Sequence, residues 1–169
     1  MAACVSRAVR RVVVVMGPSG CGKSTIGSRA AALAGAAFVE ADDHHDADAR
    51  ARMARGEALT DEDRMPWLGR VAAAANAAAP PVVIACSALN ERVRTVLSAQ
   101  LAGTARFALL DVPAGVLARR LAARTDHFAG PSLLASQLAA LRASGAERLN
   151  GTLPPETLAA RVAAMLAEV

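Results

Sequence analysis

Gly17-Pro18-Ser19-Gly20-Cys21-Gly22-Lys23-Ser24 stands between the apolar run Val12-Val13-Val14-Val15-Met16 and the stretch Thr25-Ile26-Gly27-Ser28-Arg29-Ala30-Ala31-Ala32-Leu33. Strand, then G-x-x-x-x-G-K-S, then helix is the context in which this pattern becomes a phosphate-binding loop. The glycines let the backbone curl until its N–H groups face inward, and the following helix adds the positive end of its dipole. Gly17 to Ser24, with Thr25 behind them, are therefore expected to surround the phosphates of a nucleotide. Lys23 is expected to reach the β- and γ-phosphates, and the Ser24 hydroxyl to hold Mg²⁺. Lys23 is also the only lysine in the chain, every other basic residue being arginine. A compact ammonium fits inside a backbone loop that a planar guanidinium would overfill.

Outward from this loop, strand and helix signals alternate without a repeat or a linker-like tract. That pattern is the signature of a single α/β domain with a parallel sheet, and 169 residues suit one such domain, here 1–169. Strands are expected at 11–16, 36–40, 81–86, 106–111 and, most weakly signalled, 147–150. Helices are expected at 23–33, in a polar region reaching about 56, at 60–78, 90–101 and 114–123, and through Leu133, Leu134, Leu138 and Leu141. A last helix starts at Pro154-Pro155-Glu156 and places Leu158, Val162 and Met165 on one face. Thr60 and Asp63 have the spacing of a capping pair, and Pro66 is placed in the first turn of that helix, where a missing N–H costs nothing.

Ligands of such sheets gather at the carboxyl ends of the strands. The second strand runs into Glu40-Ala41-Asp42-Asp43-His44-His45-Asp46. Asp42, nearest the strand end, is expected to act as general base toward an acceptor hydroxyl. Asp43 and Asp46 read better as charges at a helix N-terminus. The adjacent His44 and His45 project in different directions with no third ligand at zinc spacing, so His45 is expected to hydrogen-bond a polyhydroxylated acceptor. Arg120 and Arg124 lie one helical turn apart and lead into Thr125-Asp126-His127-Phe128-Ala129-Gly130-Pro131, which interrupts the periodicity. They are expected to come from a mobile lid, about 120–137, that steadies the developing phosphoryl charge and excludes water. Trp67 reads as a core aromatic. Cys21, just ahead of a helix N-terminus, sits where a thiolate is stabilised.

Composition narrows the partners. The net charge is +4 and the pI near 9.7, yet the arginines are scattered and aromatics make up 2% of the chain, so a nucleic-acid platform lacks its stacking half. Small anionic substrates suit the charge instead. Cys4, Cys21 and Cys86 are an odd number at unrelated spacings, which argues for reduced thiols rather than a disulfide framework or zinc site. No stretch has the uninterrupted apolar length of a membrane span, and the run after the basic start is too short for a signal peptide, so a cytoplasmic protein is expected.

The motifs resemble those of the gluconokinases, small P-loop kinases that phosphorylate the 6-hydroxyl of gluconate. The resemblance rests on Gly17 to Ser24, on Asp42 and His45, and on Leu59-Thr60-Asp61-Glu62-Asp63-Arg64-Met65-Pro66-Trp67-Leu68. Cys86-Ser87-Ala88-Leu89 with Arg94, then Arg120, Arg124, His127-Phe128, Leu133-Leu134 and Ser136-Gln137, continue it in order. It implies a nucleoside-kinase-like P-loop NTPase fold, a three-layer sandwich with a five-stranded parallel sheet and a lid. It further implies ATP with Mg²⁺ as donor, a homodimer, and an acceptor pocket around Asp42, His45, Asp63, Arg64, Arg94 and His127. Arg64 and Arg94 suit a sugar-acid carboxylate, which favours a bidentate guanidinium. The chain departs from the family pattern at Ala49 and Arg52, where asparagine and lysine are usual, and at Asn90, where a lysine is usual. Those changes leave the acceptor open between gluconate and another hydroxy acid such as shikimate, the non-enzyme alternative being a nucleotide-binding regulator with a decayed acceptor site.

Overall fold

The valine run forms the middle strand of a sheet covered on both faces, which is why it reads as continuously apolar rather than alternating. The computed structural model describes residues 10–124 and 131–168. Five strands, β1 (Arg11–Met16), β2 (Ala37–Glu40), β3 (Val82–Ala85), β4 (Thr104–Asp111) and β5 (Ala146–Asn150), pair in the order β2-β3-β1-β4-β5. Every pairing is parallel, with Val14 opposite Ile84 on one side and opposite Phe107 on the other. The connections are the helices α1 (Lys23–Ala34), α2 (Ala47–Ala54), α3 (Asp61–Ala77), α4 (Glu91–Gln100), α5 (Ala114–Ala122), α6 (Pro131–Ala140) and α7 (Pro155–Met165).

The period-two geometry of β1 divides the core in two. Val12, Val14 and Met16 point to the face covered by Trp67, Leu68 and Val71 of α3 and Val93 and Leu97 of α4. Val13 and Val15 point to the other face, against Ile26 and Ala30 of α1, Leu117 of α5 and Leu158 and Val162 of α7. The three layers are those of the nucleoside-kinase-like P-loop fold, and the five-stranded parallel sheet is as the sequence predicts. α1 and α7 meet through Ala30, Ala31 and Ala159, small side chains that let two helices approach closely and explain how a core so poor in aromatics fills.

Local chemistry fixes the ends of these elements. Gly35 terminates α1 in a left-handed conformation at φ 59°. Thr60 and Asp63 form a reciprocal capping box at the start of α3. Because that box pins the first residue of α3 at Asp61, Pro66 is the sixth residue and lies in the second turn rather than the first. Its ring nitrogen cannot donate to the Glu62 carbonyl, so α3 gives up one hydrogen bond there. No helix among the described residues is long and apolar enough to cross a membrane.

Candidate phosphoryl-transfer site

All five strands direct their carboxyl ends to one edge, and the loop after β1 lies in the middle of it. Gly17 N–H donates to the Ser87 carbonyl at 3.3 Å, tying the start of the loop to the end of β3. Gly17 has φ 144°, and a Cβ there would lie 2.8 Å from Cys21 Sγ. Gly22 caps α1 at φ 102° with no side chain accepting from the helix, so first-turn N–H groups of α1 are free to meet a ligand. Lys23 Nζ bridges the loop by donating to the Pro18 carbonyl at 3.1 Å. Cys21 is 1% exposed and packs into the core beneath the loop, with Sγ 3.9 Å from Lys23 Nζ, so its sulfur is enclosed rather than presented to solvent.

On one side of the loop is a cavity of about 420 Å³. Ser19 and Lys23 line it from the loop, and Asp42 and His45 from the segment after β2. The 3-10 turn Ala41–His44 brings Asp42 there, with the Glu40 carboxylate accepting the Asp42 N–H at 3.4 Å. His45 is held more firmly. Its ring stacks on Trp67, and Trp67 Nε1 donates to the Ala41 carbonyl at 2.6 Å. His45 Nε2 lies 3.9 Å from Asp42 Oδ1, while Nδ1 is enclosed without a partner among the described residues. Burial lowers the imidazole pKa from its usual value, with the Asp42 charge opposing, so His45 stands neutral at neutral pH. Trp67 is thus a core residue that also lines the cavity, a second role that its amphipathic helix does not disclose.

Besides Lys23 and Asp42, the charged residues lining this cavity are Arg50, Arg64, Asp43 and Glu57. Arg64 Nη1 pairs with Asp61 Oδ1 at 3.0 Å. Arg50 spends Nε on the His45 carbonyl at 3.0 Å and Nη2 on the Asp43 carbonyl at 2.7 Å, and among the described residues it has no carboxylate partner. Sequence reasoning passed over Arg50, since it belongs to no motif. Met53 and Leu59 supply apolar wall, and Leu133 and Gln137 of α6 close the cavity opposite.

Two residues expected at the acceptor lie elsewhere. Arg94 is 5% exposed and does not line the cavity; Nη1 donates to Ala88 O at 3.0 Å and Nη2 to Ser144 O at 2.9 Å. It braces a turn in which Ala88 has a positive φ of 42°, so its position in α4 serves the loop after β3. Asp63 is committed to the capping box, accepting Thr60 N–H at 2.8 Å, and to an ion pair with Arg52 at 3.1 Å. The Arg52 guanidinium, with the Thr60 N–H, holds the Asp63 carboxyl well below the usual carboxylate range. Asn90 caps α4 and donates to Asp61, and like Arg52 it is absent from the cavity wall. His127 lies outside the described residues.

A second cavity, about 410 Å³, opens on the other side of the same loop. Gly20, Cys21, Gly22 and Thr25 face Gly151-Thr152-Leu153-Pro154-Pro155 across it, with Arg120 and Arg124 at its edge. Arg120 Nη1 reaches the Gly20 and Cys21 carbonyls at 3.4 Å and Nη2 the Gly151 carbonyl at 3.3 Å, so it joins the loop to the segment after β5. Sequence reasoning missed residues 151–155. Their only signal is their place past the last strand, on the edge where the other strands end.

At the end of β2, the Glu40 carboxylate accepts the Asp42 N–H and feels the Ser24 side chain nearby. Burial raises its pKa, with Ser24 and the Lys23 charge opposing. Ser24 and Glu40 offer the hard oxygen donors that suit Mg²⁺. Among the described residues no three His, Cys, Asp or Glu side chains converge, so such an ion would take most of its ligands from phosphate and water.

A family model described as an AAA domain matches residues 12–147. The chain is 34% identical to a gluconokinase of Arabidopsis thaliana, covering 93% of each protein. Among solved structures, a gluconokinase from Sinorhizobium meliloti 1021 superposes with a TM-score of 0.81 at 35% identity, over 95% of this chain and 94% of that one. An unliganded sugar kinase from Janibacter sp. HTCC2649 does so with a TM-score of 0.84 at 41% identity, over 94% of this chain and 95% of that one.

Proposed function

Since this chain belongs to the gluconokinase family of P-loop kinases, we propose that it transfers the terminal phosphoryl of ATP to the 6-hydroxyl of D-gluconate. The products are 6-phospho-D-gluconate and ADP. One observation carries the reading: a single phosphate loop separates two cavities, one bounded by Arg120, Arg124 and residues 151–155, the other holding Asp42 and the cations of an acid-binding wall. The nucleoside belongs in the first, the acceptor in the second, and the phosphoryl crosses between them past Lys23.

The residues divide the chemistry accordingly. The Asp42 carboxylate takes the proton from the 6-hydroxyl as the O6–Pγ bond forms and the bond from Pγ to the bridging oxygen of ADP breaks. Lys23 and the loop N–H groups hold charge on the transferring and leaving phosphates, in place before the reaction begins. Arg120 and Arg124 extend that positive field from the nucleotide side, as part of a lid spanning about 120–137. Ser24, with Glu40 behind it, would hold Mg²⁺, which when bound draws charge from the phosphate oxygens.

The gluconate carboxylate is assigned to Arg50 and Arg64. Arg50 is the stronger candidate, because Arg64 is already paired with Asp61. His45 donates to or accepts from a substrate hydroxyl beside Asp42. The departures from the family pattern do not argue against gluconate: Arg52 and Asn90 serve pairing and capping contacts, and with Ala49 they lie off the cavity wall. The homodimer that the resemblance implies and the cytoplasmic location expected from the sequence are part of this proposal, as is the single-domain organisation.

An acceptor panel tests it. Turnover measured by ADP release should give gluconate the highest kcat/KM among gluconate, shikimate, glucitol and related sugar acids. Turnover with shikimate and none with gluconate would overturn the assignment.

A further inference from the structure

Ser19 in the phosphate loop donates its backbone N–H to the side-chain oxygen of Gln137, N to Oε1 2.8 Å, across 118 residues of chain. The contact joins α6 to the loop at a particular point. Loop residues Gly20, Cys21, Gly22 and Thr25 face the nucleoside-side cavity, whereas Ser19 and Lys23 face the acceptor cavity. A phosphoryl moving from nucleotide to acceptor leaves on the Ser19 side. The Ser19 N–H is therefore a donor for the terminal phosphoryl, and a neutral carboxamide oxygen holds it in this arrangement.

The geometry of α6 supports an exchange at this point. Leu134 is buried in the core and anchors the helix, while Leu133 and Gln137, one turn apart, face the acceptor cavity. The Gln137 side chain can swing away without unseating the helix. We propose that Gln137 is a placeholder ligand of the phosphate loop: it satisfies the Ser19 N–H until the terminal phosphoryl of ATP takes that N–H from it. A charged phosphoryl oxygen is a better acceptor than a carboxamide, so ATP displaces Gln137. ADP has no phosphoryl at that position, so after transfer Gln137 returns to Ser19 and product leaves without competing for it. α6 thereby reports to the acceptor cavity whether the transferable group is present. The proposal rests on the ATP-donor reading of the loop but not on the identity of the acceptor.

Calorimetric binding without acceptor tests it, using a non-hydrolysable ATP analogue and ADP. Gln137→Ala removes the competitor and should bind the ATP analogue about two- to tenfold tighter, the worth of one neutral hydrogen bond, with ADP affinity unchanged. Gln137→Glu keeps the shape but puts a carboxylate on the Ser19 N–H, and should bind the ATP analogue more weakly than wild type with a smaller effect on ADP; it stands as the test if Gln137→Ala folds poorly. Unchanged or weaker analogue binding by Gln137→Ala, or equal tightening for ADP, overturns the proposal. A wild-type protein that binds neither nucleotide overturns the donor reading and the placeholder with it, whereas normal binding without the variant effect overturns the placeholder alone.

Discussion

The His45 imidazole lies flat on the Trp67 indole, ring centres 4.4 Å apart and planes inclined by 8°. Trp67 is itself fixed by the bond from Nε1 to Ala41 O, so a residue of the α3 core sets the position of a side chain at the acceptor cavity. Trp67→Phe keeps a ring beneath His45 and removes the donor. The KM for gluconate should rise about two- to tenfold while the KM for ATP stays constant, a change expected from one hydrogen bond. Steady-state kinetics with each substrate varied checks it; an unaltered gluconate KM would reduce Trp67 to packing. Trp67→Ala is less informative, since opening a cavity at this site costs about 3–5 kcal/mol of stability.

Burial depresses the pKa of His45 below the ordinary 6.5, so the unfolded chain binds this proton more readily than the folded one. Stability from the neutral, buried ring is complete above the unfolded value and is lost as the pH falls from there toward the lowered value. The thermal midpoint of the wild type should fall more steeply between about pH 7 and pH 5 than that of His45→Gln, which has no proton to gain. Parallel midpoints for the two proteins would show that His45 does not titrate in this window.

The proposal puts Arg50, which the sequence reading passed over, at the carboxylate in place of Arg94, and paired variants separate the two. Arg94→Met removes two hydrogen bonds from a buried guanidinium and should cost about 2–4 kcal/mol of stability, measured by denaturant unfolding. Arg50→Met, at an exposed position, should cost less stability than Arg94→Met but raise the KM for gluconate tenfold or more, by about the worth of a charge-assisted hydrogen bond. It should also erase the preference for gluconate over uncharged glucitol. A stable Arg94→Met with weakened gluconate binding would return the carboxylate to Arg94.

Asp42→Asn preserves shape and removes the carboxylate proposed as the base. Its kcat should drop by about 10²–10⁴, with the affinity for ATP retained. Near-normal kcat would show that the proton leaves by another route.

Much of the architecture was legible in the sequence because each signal was local. The valine run, the G-x-x-x-x-G-K-S spacing, Gly35 and the Thr60–Asp63 pair each act within a few residues, and strands and helices follow them closely. The site is harder to read because side chains there choose among distant partners. Asp63 carried a capping signal and a pocket expectation at once, and the cap together with Arg52 takes both its oxygens. Arg94 lies on a helix face that the spacing of residues could not orient, and it turns toward Ala88 and Ser144, the latter 50 residues away. Arg50 enters the cavity wall because the turn after β2 folds back on itself, and Gln137 reaches Ser19 across 118 residues. No periodicity encodes either contact.

The central claim is that the phosphoryl of ATP arrives on O6 of gluconate. The most direct measurement is to incubate the purified protein with ATP, Mg²⁺ and gluconate and to follow the mixture by ³¹P and ¹³C NMR. The account predicts a phosphomonoester whose phosphorus couples to C6, formed in step with ADP and absent with Lys23→Ala. ADP formed without phosphorylated gluconate, or a phosphoryl attached at another carbon, would contradict it.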